Sequence, residues 1–525
     1  MKTHLHRIAV AIAVILLGGA LFAAPVTAGL QEDITKGYSL IDQWRFEEAE
    51  AHTQSLMDTY PDSGDVLFLQ ARLVFYQGDY ARALDLLGKV ADSAPTVKEF
   101  KHHVRETHQA TQGMVTRESE HFILRYTDGP DAVLVDYALD TLEKSYAVLG
   151  GILDHHPKEK VRVEIYPSRE PFSRISPLTL QDIMTSGTVA LCKYNRLMLI
   201  SPGSLVRGYN WLDTISHEYV HFLLSSKSHN NVPLWLHEGI AKFLETRWRG
   251  EPRHLTPIME TVLANGLDND YLIDFEAMMP SLAKLKTAED VQLAYAEVAT
   301  MVQYLVHLKG LEGLEALVAG LKDNRPIGDV LQTLVGKTLD RFQDDWKVYI
   351  KTQQLRRIPG LKVLKFQFKD KRDNGRAEDE DGERALIESR RARDLTMLGD
   401  ILKSRDHIQA AIIEYRKAIS ESDTLSPVLY NKLADTYMIT RKYDESETLL
   451  RQSLEYYPQF PSTLTNLGEV AFLRKDYEAA REYYQRAERI NPFNPQVHQR
   501  LIRIYAALGE NAKKGHQETL LALIK

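Results

Sequence analysis

The chain has 525 residues, of which 44% are hydrophobic and 26% are charged, fractions typical of a soluble globular protein with several domains. Its formal net charge of −7 excludes the basic footprint of a nucleic-acid-binding protein. Cys192 is the only cysteine, which excludes an intramolecular disulfide and any zinc site built from two or more thiolates. A bound metal ion would therefore use His, Asp or Glu.

Residues 1–28 have the pattern of a signal peptide. A positively charged start precedes an apolar stretch over residues 8–22, and Ala28 suits the position before a cleavage site, so we expect the mature chain to begin at Gly29. The alternative is an uncleaved membrane anchor, but the apolar stretch is shorter than the about 20 residues of a transmembrane helix. We therefore predict export, to the periplasm of a two-membrane bacterium or otherwise to the cell exterior, with no stable membrane span in the mature chain.

Residues 29–112 contain an internal repeat. Phe46 and Tyr80 are 34 residues apart, and Pro61 and Pro95 repeat that spacing. A period of 34 with helical amphipathicity is typical of tetratricopeptide repeats, in which pairs of helices stack on one another. Because two such units bury little apolar surface by themselves, we expect them to pack against the middle of the chain.

Residues 113–355 contain no repeat and predict an α+β domain. Phe122–Tyr126 and Val161–Tyr166 alternate like strands, with a helical pattern between them. Val189–Ile200 predicts a further strand or a hairpin, and the sequence after it is mostly helical.

The same period of 34 returns near the C-terminus, over residues 391–525. Leu433 and Leu467 follow it, as do Pro458 and Pro492. The segments LADTYMITRKYDESETLLRQSLEYYP and LGEVAFLRKDYEAAREYYQRAERINP closely resemble the tetratricopeptide family. Between this region and the middle domain, residues 356–390 are rich in charge and predict a solvated linker.

The middle domain contains the segment His-Glu-Tyr-Val-His at residues 217–221. On a helix the side chains of His217 and His221 lie on one face, where both imidazoles reach one metal ion. Glu218 is placed beside a metal-bound water without ligating the metal. Apolar neighbours indicate a buried central helix rather than a pair of surface histidines.

A third ligand is expected in the next helical segment, PLWLHEGIAKFLETRW. Glu238 lies 17 residues beyond His221, which lets a second helix return antiparallel and direct a carboxylate at the metal. His237 is the competing candidate, since only one of these neighbours can face the metal. Two His and one Glu leave a fourth position for water, as in catalytic zinc sites.

These residues resemble the gluzincin metallopeptidases, particularly the peptidase MA-like group. The resemblance implies an α+β zincin-like metallopeptidase domain flanked by all-α repeats, with one Zn²⁺ bound by His217, His221 and Glu238. It also implies that Glu245 supports the zinc histidines from behind. The segment AYAEVATMVQYL is similar to a later helix of the family, which makes Tyr295 the candidate oxyanion donor, although an ordinary half-buried tyrosine remains the alternative.

The expected function is that of an exported zinc endopeptidase with Glu218 as general base, whose repeats recruit protein substrates or partners. No Gly-x-Met-Glu-Asn segment is present, which disfavours an aminopeptidase. Lys227 stands where a metzincin would have its third histidine. The alternative function is a tetratricopeptide interaction scaffold around an inactive zinc-peptidase-like domain.

Overall fold

The structure is a computed structural model that describes residues 28–369 and 383–524. Residues 1–27, which are all but the last residue of the predicted signal peptide, and residues 370–382 of the predicted linker lie outside the described residues. In the described part, no helix is both long and apolar enough to cross a membrane.

The N-terminal region consists of two helix pairs and one further helix. They are α1 (Ala28–Asp42), α2 (Phe46–Thr59), α3 (Gly64–Tyr76), α4 (Tyr80–Gly88) and α5 (Pro95–Thr111). Tyr80 is the first residue of α4, as Phe46 is of α2, so the 34-residue period marks the start of each second helix. Pro95 begins α5, where the missing N–H of proline costs no helical hydrogen bond.

A five-stranded mixed sheet forms the first half of the middle domain. Its strands are β1 (Met114–Glu118), β2 (Phe122–Thr127), β3 (Val161–Tyr166), β4 (Ala190–Lys193) and β5 (Arg196–Ile200). The spatial order is β1-β2-β3-β5-β4, with β2, β3 and β5 parallel and the two outer strands antiparallel to their neighbours. Residues 189–200 therefore form a hairpin, whose turn residues Tyr194 and Asn195 both have positive φ.

The two faces of the sheet differ in character because side chains alternate along each strand. Phe122, Leu124, Val163 and Ile165 lie on the apolar face, which packs against the helices of the middle domain. The strand β1 is mostly exposed and lacks apolar alternation, so its sequence does not predict it.

Helices build the remainder of the middle domain. They are α6 (Val135–Leu153), α7 (Arg169–Ile175), α8 (Leu180–Ser186), α9 (Trp211–Ser228), α10 (Leu234–Leu244), α11 (Pro257–Asp268), α12 (Ala288–Gly320), α13 (Ile327–Val335) and α14 (Leu339–Thr352). The helix α12 is interrupted at Gly310, where φ is +68°. The helix α9 lies at the centre, and most of its residues are buried.

Four helix pairs form the C-terminal region. They are α15 (Arg390–Ser404), α16 (Ile408–Ser420), α17 (Pro427–Ile439), α18 (Tyr443–Tyr456), α19 (Pro461–Leu473), α20 (Tyr477–Ile490), α21 (Pro495–Leu508) and α22 (Asn511–Leu523). Small residues stand where paired helices meet, since a Cβ at Gly468 would lie 2.8 Å from the ring of Tyr484.

The N-terminal region packs against the middle domain, as predicted, and it does so on the polar face of the sheet. Glu164 of β3 is fully buried there and accepts hydrogen bonds from the hydroxyls of Tyr80 and Tyr166, each at 2.6 Å. Arg196 of β5 pairs with Glu164 at 3.0 Å and donates to the hydroxyl oxygen of Tyr80 at 2.7 Å. Further along, the ring of Trp44 contacts that of Phe222 on α9 at 5.3 Å.

The C-terminal region packs against the loop that precedes α9. Gly208 in that loop has φ of +66°, and a Cβ there would lie 2.3 Å from the carbonyl oxygen of Ile490. The side chain of Phe493 packs in the same way on Gly203. Residues 363–369 run beside the same loop, with hydrogen bonds from Val206 N to Gln367 O and from Lys369 N to Ser204 O. The first part of the predicted linker is therefore packed rather than solvated.

Candidate metal centre

The site is built on α9 and α10, which lie next to each other at the bottom of a cleft. His217 and His221 project from one face of α9, one turn apart. Glu238 lies on α10 and is followed by Gly239. A Cβ at Gly239 would stand 2.6 Å from the carbonyl oxygen of Val298, so the glycine lets α10 approach α12 closely.

Glu238 lies between the two histidines. Its Oε2 is 3.5 Å from Nε2 of His217 and 3.5 Å from Nε2 of His221. One ligand atom from each of the three residues lies within 4.8 Å of the others. Their side chains are only 11, 13 and 15% exposed, in the order His217, His221 and Glu238.

This geometry fits a zinc ion. Ligand atoms at about 2.0–2.2 Å from zinc stand roughly 3.3–3.6 Å apart in a tetrahedral site, close to the spacing observed for Glu238. The Oε2 atom of Glu238 is buried and has no hydrogen-bond partner among the described residues, which suits a metal ligand. The set of two imidazoles and one carboxylate matches catalytic zinc sites with an open position.

His237 lies behind the cluster and not in it. Its Nδ1 is 2.5 Å from Nδ1 of His221, and its Nε2 is 3.3 Å from Oγ of Ser225. Burial lowers the pKa of His237 to about 3, so the ring is neutral. A neutral His237 can accept the Nδ1 proton of His221 and thereby orient Nε2 of His221 toward the cluster. The competing ligand in the sequence is thus placed as a supporting residue.

Glu245 supports the other histidine. Its Oε2 lies 3.0 Å from Nδ1 of His217, while its Oε1 accepts a hydrogen bond from Lys242 at 2.5 Å. Burial raises the pKa of Glu245, but the charge of Lys242 and the contacts with His217 outweigh burial and leave the pKa below its usual value. The carboxylate is therefore charged and holds the His217 ring in one orientation.

The cluster is electrostatically coupled in the absence of metal. Burial by itself lowers the pKa of His217, but the adjacent carboxylates of Glu238 and Glu245 outweigh it and raise the pKa to about 10. Burial raises the pKa of Glu238, and the charges of His221 and His217 outweigh it and lower the pKa. An ionised carboxylate between two imidazoles suits a divalent cation, whose binding would displace the proton from His217.

Glu218 lies next to the cluster with one oxygen free of partners. The side chain is buried, and its Oε2 has no hydrogen-bond partner among the described residues. Burial raises the pKa of Glu218, and the charges of His221 and His217 partly oppose this. The helix α9 packs against the edge strand β4 here, and the Oε2 atom of Glu218 is available to a water molecule.

Tyr295 of α12 reaches the same cluster. Its ring centroid is 6.2 Å from that of His217, and its hydroxyl lies close enough to Glu238 for that carboxylate to raise the pKa of the phenol. Burial, followed by the charges of Glu238 and Glu218, raises the pKa of Tyr295 well above its usual value, so the phenol keeps its proton. By contrast, Tyr304 is buried against Phe342 and Tyr349, as expected for a core residue.

A cavity of about 1040 Å³ opens in front of the cluster. One side is lined by residues of the middle domain, including His217, Glu218 and Tyr295. The opposite side is lined by residues of α18, α20 and the segment between α18 and α19. No periodicity or motif in the sequence signals that the C-terminal region forms one wall of this cleft.

A model of the Peptidase MA superfamily matches residues 153–352, which include all of the cluster. Residues 153–352 form a Peptidase MA superfamily domain. A tetratricopeptide repeat model matches residues 34–97 and 431–495, on either side of the Peptidase MA domain. The predicted resemblance and fold class are thus confirmed, whereas the boundaries between the regions stay predictions.

No curated protein matches the sequence significantly. Among solved structures, the first tetratricopeptide domain of Spaghetti bound to an HSP90 peptide is 22% identical, covering 24% of this chain and 98% of that one, with a TM-score of 0.22. Native yeast LTA4 hydrolase is 12% identical, covering 78% of this chain and 66% of that one, with a TM-score of 0.29. PilW, a type IV pilus biogenesis factor, is 16% identical, covering 42% of this chain and 90% of that one, with a TM-score of 0.24. These TM-scores are too low to establish a common overall fold.

Proposed function

We propose that this protein is an exported zinc-dependent endopeptidase. The observation that carries the proposal is the position of Glu238 Oε2, 3.5 Å from both histidine Nε2 atoms and close to Glu218, whose Oε2 has no hydrogen-bond partner among the described residues. His217, His221 and Glu238 would hold the ion. A zinc ion bound there would supply Lewis acidity to a water molecule and to the scissile carbonyl.

Glu218 is the proposed general base. Its free Oε2 accepts a hydrogen bond from the attacking water, takes the proton of that water and later delivers it to the leaving amine. Burial raises the pKa of the carboxyl, which makes it a better proton acceptor than an exposed glutamate.

Tyr295 is the proposed oxyanion donor. Its hydroxyl keeps its proton and lies at the cluster, where it can turn from Glu238 to the developing negative charge. The edge-on contact between its ring and that of His217 places the phenol beside the cluster.

The strand β4 is the proposed binding site for the substrate backbone. It is the last strand of the sheet and lies beside α9. An extended peptide can add to such an edge through main-chain hydrogen bonds. This mode of binding spans the scissile bond without reading a chain terminus, in keeping with an endopeptidase.

Export rests on the signal-peptide pattern of residues 1–28. The repeats are proposed to recruit protein substrates or partners, because stacked helix pairs present extended binding surfaces.

Metal content and activity of three variants of the complete chain test the proposal. The unmodified protein is expected to contain about one zinc ion per chain by elemental mass spectrometry, and Glu238→Gln is expected to lose it. Glu218→Gln is expected to keep its zinc and to lose about 10²–10⁴-fold in peptide hydrolysis. Glu289→Gln is the matched control, because Glu289 is an exposed residue of α12 remote from the cluster contacts, and it should change neither quantity.

Hydrolysis that survives in Glu218→Gln would overturn the mechanism. Zinc binding without any peptide hydrolysis by the unmodified protein would instead support the interaction scaffold with an inactive zinc domain.

A further inference from the structure

The helix α20 connects the C-terminal repeats to the metal centre. It packs against α9, and its last residue, Ile490, rests on the backbone of Gly208. This contact fixes the end of α20 at the rim of the cleft. Arg486 and Arg489 lie on that end of α20, three residues apart and therefore on one face, and both line the cavity.

These two arginines carry unpaired charge. Arg489 is exposed and Arg486 is partly exposed. Within residues 28–369 and 383–524, neither guanidinium makes a salt bridge or a side-chain hydrogen bond to another residue. By contrast, Arg451 on the same wall is already bound to Glu447 of its own helix.

The remaining surface charges of the cavity balance one another and do not neutralise these two arginines. Most of its other charged residues are paired within the domain, as Asp213 is with Arg249. Arg253 and Lys365 are two exposed cations that make no salt bridge among the described residues. Glu251 and Glu455 are two carboxylates of the cavity that likewise make none there. The whole chain has a net charge of −7, so the positive charge on this wall of the cleft is opposite in sign to that of the protein as a whole.

We propose that Arg486 and Arg489 bind acidic side chains of the peptide substrate, so that the C-terminal repeats determine the specificity of the cleft. This inference rests on the proposed function and names the substrate class: extended peptide segments that carry glutamate or aspartate beside the scissile bond. Arginine suits this role because its guanidinium donates two parallel hydrogen bonds to one carboxylate. A cavity of about 1040 Å³ has room for several residues of such a segment.

Fluorescence anisotropy with two labelled peptides tests the inference. One peptide alternates glutamate and alanine, and the other alternates glutamine and alanine with the same dye. They are titrated into the complete chain carrying Glu218→Gln, so that neither peptide is cut. The glutamate peptide is expected to bind about tenfold more tightly, as two partly exposed ion pairs provide, and added salt should reduce the difference.

Variants of the C-terminal repeats test which residues cause the preference for the glutamate peptide. Arg486→Gln with Arg489→Gln should abolish it, and the charge reversal Arg486→Glu with Arg489→Glu should invert it. The charge-matched control is Arg441→Gln with Arg503→Gln, two exposed arginines of the same repeats that do not line the cavity, and it should retain the preference.

Equal affinity of the two peptides for the starting protein would overturn the inference, as would a preference that survives in Arg486→Gln with Arg489→Gln. Loss of the preference in the control pair would also overturn it, since the effect would then be one of overall charge. Peptide hydrolysis by the unmodified chain is measured separately. A preference for the glutamate peptide without hydrolysis would contradict the proposed function but support binding of acidic side chains by the two arginines. Hydrolysis without such a preference would support the proposed function and overturn the inference.

Discussion

The N-terminal and C-terminal repeats share a 34-residue period but dock on the central domain in different ways. The N-terminal repeats cover the polar face of the sheet through a buried network of Tyr80, Glu164 and Arg196. The C-terminal repeats meet the loop before α9 by close backbone packing at Gly208 and leave a cavity beside it.

The difference shows that one repeat motif serves two purposes. A buried ionic network fixes a single arrangement, because any displacement leaves a desolvated charge without its partner. The N-terminal repeats therefore act as a rigid support for the sheet. Contact at a loop beside an open cleft instead leaves the inner wall of the C-terminal repeats accessible to ligands.

The largest effect is expected from Arg196→Met in the N-terminal network. The substitution removes the closest and only fully buried cationic partner of Glu164 among the described residues and should reduce the free energy of unfolding by about 3–5 kcal/mol. Arg125→Met is the matched control, because Arg125 lies 3.8 Å from Glu164 and is 30% exposed, and it should cost less than about 1 kcal/mol. Chemical denaturation measures both, and equal costs would show that the network does not hold the N-terminal repeats.

The corresponding substitution in the interface of the C-terminal repeats is Gly208→Ala. A methyl group there would collide with the carbonyl oxygen of Ile490 and should displace the C-terminal repeats. Gly250→Ala is the control, since Gly250 has a similar φ of +75° with nothing within 4 Å and should cost only about 1–3 kcal/mol. Limited proteolysis and peptide binding compare the two variants. Unchanged peptide binding by Gly208→Ala would show that the position of the C-terminal repeats does not affect the cleft.

A smaller and sharper comparison uses tyrosines at the same position of the repeat. Tyr80 and Tyr477 each begin the second helix of a pair, but only Tyr80 has its hydroxyl in the buried network. Tyr80→Phe should cost about 1–3 kcal/mol and Tyr477→Phe less than about 0.5 kcal/mol. Similar costs in thermal unfolding would indicate that the hydroxyl of Tyr80 contributes nothing specific.

The smallest effect concerns pH. His103 of α5 lies against Tyr194 at the N-terminal interface, and burial, aided by the charge of Arg196, lowers its pKa to about 4. Since the folded pKa lies below the unfolded value of about 6.5, the stability from neutral His103 is complete above pH 6.5 and lost as the pH falls toward 4. His103→Gln should flatten this part of the stability profile, whereas the exposed neighbour His102→Gln should not. An unchanged profile in His103→Gln would assign the acid sensitivity to other groups.

The sequence by itself determined the local features of this protein. The i, i+4 spacing places His217 and His221 on one face of α9 whatever surrounds that helix, because the geometry of an α-helix is local. The 34-residue period likewise predicts stacked helix pairs, since each repeat contacts mainly its neighbours. Strand alternation similarly predicts β2 and β3 but not the exposed β1.

Only the tertiary structure decided which residues meet across elements. The sequence leaves Glu238 and His237 as neighbouring candidates, and the packing of α10 between α9 and α12 turns Glu238 toward both histidines and His237 toward the back of His221. Tyr295, more than 50 residues from Glu238, reaches the cluster through α12. The cleft wall formed by α20 depends on one close contact between Gly208 and Ile490, residues far apart in the chain. Such contacts arise from the packing of complementary surfaces, which no local period or spacing in the sequence encodes.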